Sequence, residues 1–146
     1  MSPARDRVAV LDIPVVYEQT KGFLAIIDGE QLVPFPIRQV LVQYGMERDG
    51  IRGEHARRRT QEFIVCVHGR AEVTTHGRHG TRTNVLDRPD RGLYVPPLSW
   101  VTLRCIALDC VCLVAMSEHY DETDYIRDFD QFQSLVAGAD SPGQQH

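Results

Sequence analysis

Residues 52–69 read RGEHARRRTQEFIVCVHG, and the spacing inside this stretch decides the fold. His55 and Arg57 stand one residue apart, so an extended chain projects both from one face. Glu62 follows, and six residues separate it from Gly69, which marks a turn after the apolar run FIVCV. Outward from this stretch, short β-rich runs recur at close intervals: RVAVLDIPVV, FLAIID, QVLVQY, AEVTTHG, TNVL, GLYVP, VTLRCIAL and CVCLVAM. Gly29, Gly45, Gly50, Gly77, Gly80, Pro89 and Gly92 interrupt them. This punctuation predicts an all-β sandwich or barrel rather than alternating β and α units, and a double-stranded β-helix fits it best. HGRHG (76–80) has glycine at both ends of a polar tip and reads as a hairpin loop, with His76 and His79 as exposed loop residues.

Beyond Ser117 the period changes. In EHYDETDYIRDFDQFQSLVAG, apolar residues recur at Ile126, Phe129, Phe132 and Leu135/Val136, which predicts one short amphipathic C-terminal helix. Asp121, Glu122 and Asp124 suit the positive end of its dipole, and Gly138 is the expected stop. A flexible segment over 1–10, one domain over 11–136 that includes the helix, and a flexible tail over 137–146 complete the organisation.

Composition narrows the function. The chain has 146 residues and a formal charge of -4, which argues against a nucleic-acid partner, because phosphate-binding domains carry a basic excess. No apolar run approaches the ~20 residues of a membrane span, and MSPARDRVAV lacks the apolar core of a signal peptide, so a cytoplasmic protein is expected. Cys66, Cys105, Cys110 and Cys112 lie in apolar runs without CxxC spacing. They read as buried reduced thiols, with Cys110 and Cys112 on one strand face.

The frame at 52–69 resembles the metal motif of the cupins, which needs a second histidine where Arg57 stands. A guanidinium offers a metal no lone pair. The resemblance also places a further ligand after the proline turn in RGLYVPPLSWVTL, and that place falls on Val101. His55 and Glu62 alone do not complete an iron or manganese site, so no metal and no cofactor are expected.

More specifically, KGFLAIIDG, VPFPIRQV, RGEHA with its basic run, FIVCVHG, GLYVPPLSW and CVCLVAMSEHYDETDYIRDF together resemble the sugar 3,4-ketoisomerase family. These are WxcM-like cupins acting on dTDP-4-keto-6-deoxyhexoses. The resemblance spans nearly the whole chain and implies a cupin jelly roll that forms a homodimer through its sheets. It also implies a dTDP-linked keto sugar as substrate. His55 matches the first histidine of the family's RGxHAH element, whereas Arg57 replaces the second. Leu41 and Val42 take the places of a polar strand residue, with Tyr44 the nearest phenol, and Val101 stands where a polar side chain follows the tryptophan.

Moving a ketone from C4 to C3 needs a base near neutral pKa, a proton shuttle between the two oxygens, and donors for an enediolate. His55 is the candidate base and Arg57 the fixed cation, while Tyr44, Glu62 or a water is left for the shuttle. Arg52 and Arg59 are candidates for the diphosphate, with Glu62, Tyr94 and Trp100 lining the substrate site. The alternatives are a catalytically altered sugar-nucleotide-binding or partner-regulating protein, and a related epimerase using His55.

Overall fold

The computed structural model describes residues 6–140. Two five-stranded antiparallel sheets form the body, one ordered β1-β9-β6-β11-β4 and the other β12-β5-β10-β7-β8. The first contains β1 (Ala9–Asp12), β4 (Gln39–Gln43), β6 (Glu62–His68), β9 (Arg91–Val95) and β11 (Val111–Met116). The second contains β5 (Ile51–Arg57), β7 (Ala71–Gly77), β8 (Gly80–Leu86), β10 (Trp100–Cys105) and β12 (Tyr125–Ile126). A separate hairpin, β2 (Val15–Glu18) with β3 (Gly22–Ala25), precedes β4. This is the all-β jelly roll that the sequence predicts, closed by one helix, α1 (Phe129–Asp140). No described helix is long and apolar enough to cross a membrane.

Alternation explains the layers. Along β7, Ala71, Val73 and Thr75 are buried between the sheets while Glu72, Thr74 and His76 face outward. β6 is buried on both faces, which is why FIVCV reads as continuous apolar sequence. Ile64 and Cys66 enter the core between the sheets, whereas Phe63 and Val65 join a second core with Ile13, Val33, Phe35 and Tyr94. A third cluster, Ala56, Trp100, Ile126 and Phe132, lies beneath α1.

Three expectations are corrected. The acidic segment does not open the helix: Asp121 caps a 3-10 turn (Glu122–Asp124), and β12 then pairs with Ala56 and Arg57 of β5. The helix starts only at Phe129, after Asp128 accepts from the Asp130 N–H at 3.1 Å, and it runs past Gly138. Ile126 reaches the apolar cluster from a strand, so helical spacing identified the correct face but not the element. Cys105 and Cys110 form a disulfide across the turn between β10 and β11, and only Cys66 and Cys112 are free buried thiols, opposed across β6 and β11. Cys110 precedes β11 and shares no strand face with Cys112. Finally, His76 belongs to β7, bonds Thr81 Oγ1 at 2.8 Å and sets its ring edge against Phe129; the turn between β7 and β8 holds Arg78 and His79.

Among the described residues, the first strand opens at Ala9 and the helix closes at Asp140, while residues 1–5 and 141–146, which hold most of both expected end segments, lie outside the described residues.

At Gly92 in β9, an added Cβ would run into the ring of Phe63 on the adjacent strand, with no slack in the second core. Gly92→Ala is expected to destabilise the fold by about 1–3 kcal/mol through overpacking. Calorimetry should show a lowered Tm, and an unchanged Tm would contradict this packing.

Candidate active site

The site is built on an irregularity in β5. Arg52 opposes Leu103 and His55 opposes Val101, although the first two are three apart and the second two are two apart, so β5 carries one extra residue. Gly53 (φ +89°) and Glu54 (φ +59°) absorb it in the left-handed region, and a Cβ at Gly53 would meet the Val101 carbonyl oxygen. The bulge puts Arg52 and His55 on the face shared with Val101 and Leu103, the inner face of the barrel. A small cavity opens there between the sheets, lined by His55, Arg57, Glu62, Gln43 and Tyr125 with apolar walls that include Leu41 and Val101.

The His55 Nδ1 lies 3.1 Å from the carbonyl oxygen of Gly53. An acceptor there selects the tautomer that carries its proton on Nδ1 and leaves the Nε2 lone pair free. Its ring meets Tyr125 edge-on at 4.9 Å. Burial lowers the pKa of His55 below the ordinary histidine value, and the charges of Arg57 and Arg127 lower it further against the Gly53 carbonyl and Glu122. The imidazole is therefore neutral at pH 7 and able to accept a proton.

Arg57 is almost wholly buried, and its Nε donates to Asp124 Oδ2 at 3.1 Å. Nη1 donates to Met116 Sδ at 3.5 Å, and the guanidinium lies 4.1 Å from the Tyr125 ring centroid. Nη2 is buried without a hydrogen-bond partner among the described residues. Asp124 also accepts from the Thr60 hydroxyl and, at 2.6 Å, from the Arg59 N–H. Burial pushes the Asp124 carboxyl up, but the Thr60 and Arg59 bonds and the Arg57 charge together hold it below the usual carboxylate range. Arg127, 4.3 Å from the centroid, stacks as a second cation on Tyr125 and is tethered by Glu122, whose pKa falls to about 2.

Glu62 lies at the start of β6, opposite Met116 and facing inward. Burial raises its pKa, an effect opposed by Arg57 and reinforced by Asp124. Gln43 presents a buried Oε1 without a partner.

The cavity thus unites His55, Arg57 and Glu62. The five other expected site residues do not line it. Tyr44 is 75% exposed just beyond β4, because a period of two counted from Leu41 reaches Gln43 rather than Tyr44. Tyr94 belongs to the second core, its hydroxyl donating to Gln61 Oε1 at 2.7 Å, and Trp100 packs against Phe129 and Phe132 beneath α1. Both point away from the barrel interior and cannot stack on a base or sugar there. Arg59 is turned outward to Asp121 Oδ2 at 2.8 Å, while Arg52 is exposed on the inner-face register of β5. Gln43, Asp124, Tyr125 and Arg127 were missed; the strand alternation could have found Gln43, but the other three required the return of the C-terminal segment to β5. Among the described residues, no three of His, Cys, Asp and Glu converge as a metal site requires.

An inward base beside a buried cation in a jelly roll of this topology defines the class. The chain belongs to the WxcM-like, C-terminal (FdtA) family, whose family model matches residues 6–137. It is 34% identical over 118 residues to the TDP-4-oxo-6-deoxy-alpha-D-glucose-3,4-oxoisomerase of Aneurinibacillus thermoaerophilus, covering 81% of this chain and 85% of that protein. QdtA, a sugar 3,4-ketoisomerase from Thermoanaerobacterium thermosaccharolyticum solved with TDP, superposes with a TM-score of 0.86 at 29% identity, over 92% of this chain and 97% of that one. A histidine-to-asparagine variant of the same enzyme, solved with TDP-4-keto-6-deoxyglucose, gives 0.84 at 29% identity over 89% and 94% of the two chains.

Asp124→Ala would leave the Arg57 charge buried and unpaired, and is expected to cost about 3–5 kcal/mol in denaturant unfolding. Because the folded Asp124 pKa is depressed, the stability it supplies is present above the ordinary carboxylate value of about 4 and is lost as pH falls through the depressed one. Asp124→Asn should flatten that acid limb, and an unchanged limb would contradict the assignment.

Proposed function

We propose that this protein is a TDP-sugar 3,4-ketoisomerase, moving the keto group between C4 and C3 of a TDP-4-keto-6-deoxyhexose by metal-free tautomerisation. The observation that carries this reading is His55, its Nδ1 against the Gly53 carbonyl, sharing one cavity with Arg57, whose Nη2 has no hydrogen-bond partner among the described residues. Membership of the family supports it. The reaction is internal to the sugar and exchanges no electrons with a cofactor.

In this reading, His55 removes the proton from C3, the carbonyl electrons move to O4, and Arg57 Nη2 donates to the resulting oxyanion. The same imidazolium returns its proton to C4. Apolar Leu41 and Val101 keep water from the enediolate. Arg52, on the inner-face register of β5, is the proposed diphosphate contact, whereas Arg59 is already engaged by Asp121. The proposed setting is the cytoplasm, because a diphosphate-linked sugar does not cross a bilayer unaided.

The functional unit we propose is a homodimer. The β2–β3 hairpin exposes Tyr17, Phe23 and Leu24, with Phe23 73% exposed, and the edge strand β4 exposes Val40 and Val42. A paired edge and a covered apolar face are the usual remedy for such a surface. Light scattering at micromolar concentration should give about twice the 16.6 kDa chain mass, and a 16.6 kDa particle would reject the dimer.

One observation favours a second reading, a sugar-nucleotide-binding protein without turnover: Arg57 cannot release or accept a proton where the family element carries a histidine. Two measurements separate the readings. TDP at a hundred times its Kd should stabilise the fold by about 2.7 kcal/mol, more than phosphate or thymidine at the same concentration does, and no shift at millimolar TDP would weaken both readings. With TDP-4-keto-6-deoxyglucose in heavy water, the isomerase should place deuterium on the ring as the ketone moves, and His55→Asn should lower that rate by about two to four orders of magnitude while TDP still binds. Firm binding without exchange in the unmutated protein would leave the second reading.

A further inference from the structure

Accepting the isomerase reading, one proton remains to be placed. Conversion of the 4-keto to the 3-keto sugar moves a hydrogen from C3 to C4, which His55 can carry, and another from O3 to O4. Arg57 cannot serve for the latter, since a guanidinium that gave up its proton would be a neutral base buried beside the Asp124 carboxylate.

We propose that Glu62 is the acid–base group that passes this second proton, its carboxyl bridging O3 and O4 of the enediol. Glu62 lines the same cavity as His55 and Arg57, and among the described residues no group hydrogen-bonds its carboxyl. The two oxygens on a ring enediol are cis, and a carboxylic acid presents a donor and an acceptor side by side. As C3–H passes to His55 and the C4 carbonyl electrons move to O4, the Glu62 O–H proton goes to O4. As C3 becomes the ketone and C4 takes its proton from His55, the other carboxyl oxygen receives the O3 proton. Glu62 ends as the neutral acid it began as, and no electrons enter or leave. Gln43 Oε1, on β4 of the same sheet as Glu62 and buried without a hydrogen-bond partner among the described residues, is placed to accept from a further sugar hydroxyl.

The environment favours the neutral acid. Burial raises the Glu62 pKa, and of the charged and titratable groups around it, Arg57 of β5 opposes that rise while Asp124 of the 3-10 turn adds to it. His55 of β5 and Tyr125 of β12 are the other titratable groups in the cavity, and Gln43 and Met116 from β4 and β11 are uncharged.

The test uses TDP-4-keto-6-deoxyglucose in heavy water with the full chain. Glu62→Gln keeps shape, donor and acceptor but cannot transfer a proton. It should slow ketone movement by about two to four orders of magnitude while C3 deuterium exchange and TDP binding persist, whereas His55→Asn should lose exchange and movement together. Wild-type ketone movement in Glu62→Gln, or loss of exchange along with movement in that variant, would each overturn the assignment of Glu62. A second measurement needs no variant: in the unmutated protein, ketone movement should fall at alkaline pH as Glu62 loses its proton, while C3 exchange continues. A parallel fall of both would overturn the proposal. An unmutated protein that neither exchanges nor isomerises would instead reject the isomerase reading itself, and the role of Glu62 with it.

Discussion

The ion pair between Arg57 and Asp124 ties the site to the fold. A buried guanidinium is tolerated only with a partner, and Asp124 is a partner that is itself held by the Thr60 hydroxyl and the Arg59 N–H. The backbone carries the same connection, because the Arg58 N–H donates to the Asp124 carbonyl at 2.8 Å and β12 pairs immediately afterwards with Arg57 and Ala56. The segment that follows β11 is therefore drawn across the edge of β5. That return brings Tyr125 into the cavity and lays α1 over Trp100.

The chemistry of the site follows from the same arrangement. A fixed positive charge beside His55 disfavours the imidazolium, as burial does, so the base is kept neutral without a carboxylate against its ring. The Arg57 charge is only partly spent: Nε and Nη1 are engaged by Asp124 and Met116, and Nη2 has no hydrogen-bond partner among the described residues. On the opposite wall, burial drives Glu62 toward its protonated form. Two groups whose pKa values are displaced in opposite directions, one toward a free base and one toward a free acid, are what an internal proton exchange requires.

Much of the site was legible in the residue order because it rests on strand alternation. His55 and Arg57 share a face by period two, Glu62 opens the next strand inward, and of Leu41 and Val42 only Leu41 lines the cavity, with Val101, while Val42 is exposed. Tyr44 failed by the same rule, being out of phase with Leu41. Tyr94 and Trp100 failed for another reason: β9 is buried on both faces and β10 is buried on both faces at its Trp100 end, so an aromatic residue does not reveal which of two cores it enters. The cysteines failed because the length of the turn after β10, not the apolar character around it, brings Cys105 to Cys110.

By itself, the sequence determined the all-β jelly roll and the placement of His55 and Arg57 on one strand face, since both depend on residue types at local spacing. Tertiary structure alone decided where the acidic segment goes. Its residues carry a helical period and acidic charge suited to a helix start, yet Asp121 through Ile126 form a 3-10 turn and a short strand. The physical reason is the cost of leaving Arg57 buried without a counter-charge and the edge of β5 unpaired. Both are satisfied only when a distant part of the chain supplies a carboxylate and a strand together, and local periodicity carries no record of that demand.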